Sequence, residues 1–145
     1  MHIRRAHEDD LSQILDLYQH LKGKAAPEID GRITAVWRSI LSDPNHYLLA
    51  GVVDGAIVST CVMVVVPNLT HDQHPYAFIE NVVTLPGHRG KGYATAVLSR
   101  AREIAAEQGC YKIMLMTGSK KESTLGFYER AGYNKRDKTA FIQWL

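Results

Sequence analysis

The chain has 145 residues, 46% of them hydrophobic and 22% charged, with 17 Lys plus Arg against 15 Asp plus Glu. That length suits one domain, residues 1–145, able to bury most of its unfolded surface without a covalent staple, and the composition excludes wholesale disorder. A net charge of +2 is too small to point to nucleic acid, no apolar run approaches the roughly 20 residues of a membrane helix, and Cys61 and Cys110 lack metal spacing, so we expect a cytoplasmic protein with small-molecule partners, no membrane and no metal.

His2 to Ala6 reads as a short first strand. Leu11, Ile14, Leu15, Tyr18 and Leu21 then recur at helical spacing, and Gly23 stops that helix. A polar stretch leads through Asp30-Gly31 into a second apolar stripe, Ile33, Val36, Trp37, Ile40 and Leu41, which ends at Asp43-Pro44. Tyr47 to Val53 and Ala56 to Val66 are β-rich runs separated by Asp54-Gly55, the pair a two-residue hairpin favours. Pro67 to Pro75 is turn-prone and predicts an exposed loop bordering the substrate, ahead of a strand from Tyr76 to Leu85. Ala94, Val97, Leu98, Ala101, Ile104 and Ala105 line one side of the next helix, which Gly109 stops. Tyr111 to Met116 reads as a strand, Lys121 to Ala131 as a helix closed by Gly132, and Tyr133 to Leu145 as a final β pair. Strands flanking a helix lie parallel and hairpin partners antiparallel, so the class is α/β (α+β by stricter bookkeeping) with a mixed sheet flanked by helices.

Between the strand ending at Leu85 and the following helix lies Pro86-Gly87-His88-Arg89-Gly90-Lys91-Gly92-Tyr93-Ala94. First-turn helix amides have no internal partner and glycine lets an anion approach the backbone, so Gly87, Gly90 and Gly92 suit a diphosphate, with Arg89 and Lys91 adding charge. The same residues also serve plain turn chemistry. A Walker loop is excluded, because Leu85 stands where its first glycine belongs and Gly92 where Ser or Thr belongs. A dinucleotide fingerprint fails at Thr95, which occupies the place of its third glycine.

What remains resembles the acyl-coenzyme A loop of the GNAT N-acetyltransferase superfamily, whose Arg/Gln-x-x-Gly-x-Gly/Ala pattern is filled by Arg89, Gly92 and Ala94. Phe127-Tyr128-Glu129-Arg130-Ala131-Gly132-Tyr133 looks like the superfamily's Phe-Tyr-x-x-x-Gly-Phe block, and Arg4-x-Ala6 is similar to its first strand, so the likeness spans nearly the whole chain. Within the superfamily the partial likeness is to glucosamine-6-phosphate N-acetyltransferases, in residues 79–83, 109–113 and 127–130, although Asn81 and Met116 stand where those enzymes carry Asp. The likeness implies a mostly antiparallel sheet in which two parallel central strands, Tyr76 to Leu85 and Tyr111 to Met116, splay apart to admit the pantetheine of acetyl-CoA. It implies cosubstrate contacts from Val82, Val83 and Thr84 as a main-chain edge and from Gly87, His88, Arg89, Gly90, Lys91, Gly92, Tyr93 and Ala94 as the phosphate loop. The superfamily's Asn six residues before the Phe-Tyr block is replaced by Lys121, leaving Lys121 or Ser123 to take its place. Dimerisation is common among such relatives, so a homodimer is a further expectation.

An amine attacks a thioester only when neutral, so its proton must leave; Glu80 is the strand carboxylate best placed to take it through water, to anchor the ammonium instead, or simply to form a solvated ion pair. Asn81 points to the opposite face unless a bulge intervenes, and with Glu80 it is a candidate for substrate contact. Tyr128 matches the tyrosine that protonates the departing thiolate; spacing alone would also fit a helical core filler. His71, Asp72 and His74 lack a third and fourth ligand and suit a loop better than a metal. The resulting expectation is an acetyl-CoA-dependent N-acetyltransferase acting on the primary amine of a small molecule, an amino sugar or similar metabolite. The alternatives are acetylation of a protein or peptide amine, for which an open groove is the sign, and a non-catalytic acyl-CoA sensor, which needs no acid.

Overall fold

The computed structural model describes residues 1–145, the side chain of Lys22 excepted. In chain order it comprises β1 (His2–Arg5), α1 (Leu11–Lys22), α2 (Gly31–Ser42), β2 (His46–Val53), β3 (Ala56–Val66), β4 (Tyr76–Thr84), α3 (Tyr93–Glu107), β5 (Ile113–Leu115) and α4 (Glu122–Arg130), with short 3-10 turns at Glu8–Asp10 and Pro86–His88. The helix boundaries follow from local chemistry. Gly23, in the left-handed region, caps α1 through a hydrogen bond to the Gln19 carbonyl, and the Asp30 carboxylate opens α2 by accepting from the Ile33 N–H at 2.8 Å. Asp54 and Gly55, both at positive φ, turn the β2–β3 hairpin as their sequence predicts.

The sheet runs β1-β2-β3-β4-β5, antiparallel except for the parallel pair β4–β5. Alternation along β2 feeds both faces. Tyr47 and Leu49 join Met63, Ile79, Val97 and Leu98 beneath α3, while Leu48, Ala50 and Val52 join Ile14, Leu17 and Trp37 beneath α1 and α2. A bidentate ion pair from Arg4 to the buried Asp10 ties β1 to the start of α1, and Asp10 also accepts from the His7 N–H at 2.8 Å. Burial alone would raise the Asp10 carboxyl, but the Arg4 and His7 bonds outweigh it and hold it below its ordinary value.

Two departures from the sequence reading bear on the site. The predicted final β pair is absent: residues 133–145 form no strand, and Phe141, Ile142, Trp144 and Leu145 are exposed. Alternation of apolar residues predicts a strand only when a neighbouring edge and a core face are both available; Tyr133 packs on the core, but the residues after it are exposed and pair with no strand. The parallel pair therefore lies at the margin of the sheet instead of its centre, with β5 outermost. The second departure is a bulge in β4. Val62 pairs with Glu80 and Thr60 with Val83, so Asn81 and Val82 together face the single residue Cys61, and Asn81 sits at φ 51.

Candidate active site

The parallel strands part where the bulge begins. β5 pairs only at Ile113, Met114 and Leu115, opposite Ala77, Phe78 and Ile79; β4 continues through Glu80 to Thr84 without a partner on that side. The chain leaves β5 at Met116 into a polar turn held by Thr117 and Ser119, whose hydroxyls accept from the N–H groups of Ser119 and Lys121. A wedge with an unpaired main-chain edge results, open toward the glycine turn.

That turn is built as an anion cradle. Gly90 and Gly92 lie at φ 73 and 80, a region that costs other residues about 1–2 kcal/mol. A Cβ at Gly87, Gly90 or Gly92 would meet nothing within 4 Å, so the space above the loop is open. Gly92 is the N-cap of α3 with no side-chain cap, and the first main-chain bond of that helix is Ala96 N–H to the Gly92 carbonyl. Among the described residues, the N–H groups of Gly90, Lys91, Gly92, Tyr93, Ala94 and Thr95 thus donate to no protein acceptor, and the last of them open α3 at its positive end. A diphosphate fits this donor set.

The loop's side chains divide their work. Arg89 donates its Nε–H to the Thr84 carbonyl at 3.1 Å, closing the turn onto the strand end, and Lys91 is exposed. The Thr84 hydroxyl is 2.8 Å from that of Ser59, so Thr84 is bound through both its carbonyl and its side chain. His88 packs its ring 6.0 Å from Tyr93 and leaves Nδ1 buried without a partner. Val82 packs on the α3 face and Val83 on the α1–α2 face, a reversal of ordinary alternation imposed by the bulge. Lys121 and Ser123 are exposed at the start of α4, beside the turn that leaves β5.

Glu80 and Tyr128 flank the wedge from opposite faces of the sheet. Tyr128 is half-buried against the α3 face, 5.0 Å from the Phe127 ring and 6.1 Å edge-on from Tyr133. Burial raises its phenol, and the Glu80 carboxylate is near enough to raise it further, so the group is protonated at neutral pH and able to donate. Glu80 is exposed and registers opposite Val62, on the sheet face that carries α1 and α2. The bulge turns Asn81 toward the same face, where its side chain lines a cavity of about 320 Å³ between α1, α2 and the sheet.

That cavity is the feature the sequence reading missed. Its walls include Ile14, Ile33, Val36, Trp37, Leu48 and Val62, and its polar groups are Tyr18, His46, Asn81 and Arg32. The α2 stripe reads in sequence as a face buried on the sheet; only Trp37 is buried, and Val36 is 54% exposed. The loop predicted to border the substrate, residues 67–75, contributes none of the lining among the described residues. It is pinned instead to the turn after α3, through His74 Nδ1 at 3.0 Å from the Gly109 carbonyl and a 4.1 Å stack of His71 on Tyr111.

The family model of the GNAT acetyltransferases, "Acetyltransferase (GNAT) family", matches residues 11–133, and the chain belongs to that family. A glucosamine 6-phosphate N-acetyltransferase of Trypanosoma brucei brucei is 30% identical over 95% of this chain and 92% of its own length. An acetyltransferase of Yersinia pestis (strain Pestoides F) is 29% identical over 94% and 90%. A solved structure from Agrobacterium tumefaciens str. C58, described as an acetyltransferase, superimposes with a TM-score of 0.93 at 36% identity, covering 99% of this chain and 100% of that one. The chain is thus a GNAT-type acetyltransferase, and the family's cosubstrate is acetyl-CoA. No helix among the described residues is long and apolar enough to cross a membrane.

Proposed function

We propose that this chain transfers the acetyl group of acetyl-CoA to the primary amine of a small molecule by direct attack. The observation that carries the reading is the parting of β4 from β5 after Ile79, with the glycine cradle at its mouth and Glu80 and Tyr128 on its walls. In this reading the free edge of β4 at Val82 pairs with the pantetheine amides, Val83 turning its carbonyl to the Ser59 hydroxyl of β3 instead, while the N–H groups from Gly90 to Thr95 hold the diphosphate. Lys91, Lys121 and Ser123, all exposed, reach the cosubstrate from either side. Acetyl-CoA supplies an acyl carbon activated as a thioester.

The protein's own groups manage the protons. Glu80 attracts the ammonium and takes its proton, through water, so that nitrogen attacks as the free amine. The carbon–nitrogen bond forms first; as the adduct collapses the nitrogen gives its second proton to water, the carbon–sulfur bond breaks and Tyr128 gives its proton to the sulfur, after which Glu80 loses and Tyr128 regains a proton by exchange with solvent. Coenzyme A release followed with a thiol reagent, with the acetylated amine identified by mass, tests this: amine-dependent thiol is expected, and acetyl-CoA binding without it across a broad amine panel contradicts it.

A homodimer belongs to the same reading. The exposed Phe141, Ile142, Trp144 and Leu145, and an outer β5 edge with no partner strand among the described residues, give a second copy both an apolar segment and a strand edge to cover.

A further inference from the structure

The cavity between α1, α2 and the sheet adjoins the candidate base through Asn81, yet its walls have little in common with a sugar-phosphate site. A phosphate ester of charge near −2 needs several guanidinium, ammonium or N–H donors, and among the described lining residues the single guanidinium or ammonium is that of exposed Arg32. Apart from Asn81, His46 and the Tyr18 hydroxyl the rest of the wall is apolar, and α2 leaves Ile33, Val36 and Ile40 incompletely covered. Two buried polar atoms in this wall, Tyr18 Oη and His46 Nε2, have no hydrogen-bond partner among the described residues. Tyr18 lies beside Asn81 without a well-formed bond to it; burial pushes its phenol up to about 12, so it stays a neutral hydroxyl. Burial likewise lowers His46, aided by Arg5 and opposed by Asp43, which favours the neutral imidazole.

Unmet polar atoms inside an apolar cavity specify their occupant. The Tyr18 hydroxyl and the Asn81 amide oxygen can each accept from an N–H, and Asn81 immediately follows Glu80 in the strand. His46 is two residues along β2 from Leu48, and Leu48 shares a register level with Val62 and Glu80, so His46 lies farther from the base. We propose that the acceptor is a primary amine on an apolar carbon skeleton, an alkyl- or arylalkylamine, with its nitrogen at Tyr18, Asn81 and Glu80 and its skeleton against Ile33, Val36 and Trp37. This rests on the acetyltransfer reading given above.

Steady-state thiol release should separate the two. With hexylamine and phenethylamine as probes, kcat/KM is expected at least tenfold above that for glucosamine 6-phosphate and for an N-terminal peptide amine. Val36→Asn, at an exposed wall position that does not threaten folding, should raise KM for both apolar amines about tenfold while acetyl-CoA affinity by calorimetry stays unchanged. Preference for the phosphosugar or the peptide, or indifference of KM to Val36→Asn, overturns the apolar-acceptor assignment and leaves acetyltransfer standing. Saturable acetyl-CoA binding with no release for any amine overturns both.

Discussion

Tyr128 carries the sharpest chemical assignment of any single residue. Its phenol is the only tyrosine in the Phe-Tyr block raised by both burial and the Glu80 charge, and general acid help of this kind contributes about 10²-fold or more. Tyr128→Phe should therefore lower kcat by about two orders of magnitude with acetyl-CoA affinity within about twofold; an unchanged kcat removes the tyrosine from the mechanism. Arg4 and Asp10 make a structural assignment at the same scale. With 29% of the Arg4 side chain exposed against 3% of Asp10, Arg4→Leu should cost about 2 kcal/mol in urea unfolding, below the roughly 3–5 kcal/mol of a fully buried pair. Because the folded Asp10 pKa is depressed, the stabilisation is fully present above its ordinary value of 3.8 and is lost as pH falls through the lower folded value. The wild type should accordingly lose stability on acidification more steeply than Arg4→Leu.

Among the elements, the β4 bulge and the turn before α3 decide what the chain can bind, and they were unequally legible. The turn was readable because glycine at positive φ has a steric reason that shows in composition: Gly90 and Gly92 appear where the backbone requires them. The bulge was not, since Asn81 is an ordinary strand neighbour until the pairing of Val62 and Thr60 leaves it unmatched. Regular alternation sent Asn81 away from Glu80; the bulge brings it to the α1–α2 face. The α2 stripe misled for a related reason, because helical periodicity identifies an apolar face without saying whether protein or ligand covers it. Tyr18 is in sequence one more residue of the α1 stripe, and His46 belongs to no pattern at all. A Gly90→Ala substitution tests the turn: it should cost about 1 kcal/mol in stability and weaken acetyl-CoA binding, whereas a neutral effect on both would separate loop geometry from cosubstrate affinity.

For the whole molecule, the proposal assigns the two faces of one sheet to different partners: the wedge flanked by α3 and α4 to the thioester carrier, and the cavity enclosed by α1 and α2 to the amine. In the proposed reaction transfer takes place where β4 joins the two, at Glu80 and Asn81. Residues 133–145 are the part of the chain this arrangement leaves uncovered, and their strand-like alternation was legible while their pairing was not, since pairing depends on an edge outside the segment. Light scattering should give the mass of a dimer, and replacing Phe141 and Trp144 with Ser should shift it toward monomer; a monomeric wild type would show that no second copy covers the segment. Acetyltransfer by this chain requires the cradle between Gly87 and Thr95, which calorimetric titration of the purified protein with coenzyme A probes most directly. One saturable site per chain is predicted, weakened at least tenfold in Gly92→Asp with unchanged circular dichroism; absent heat, or equal affinity in that variant, would contradict it.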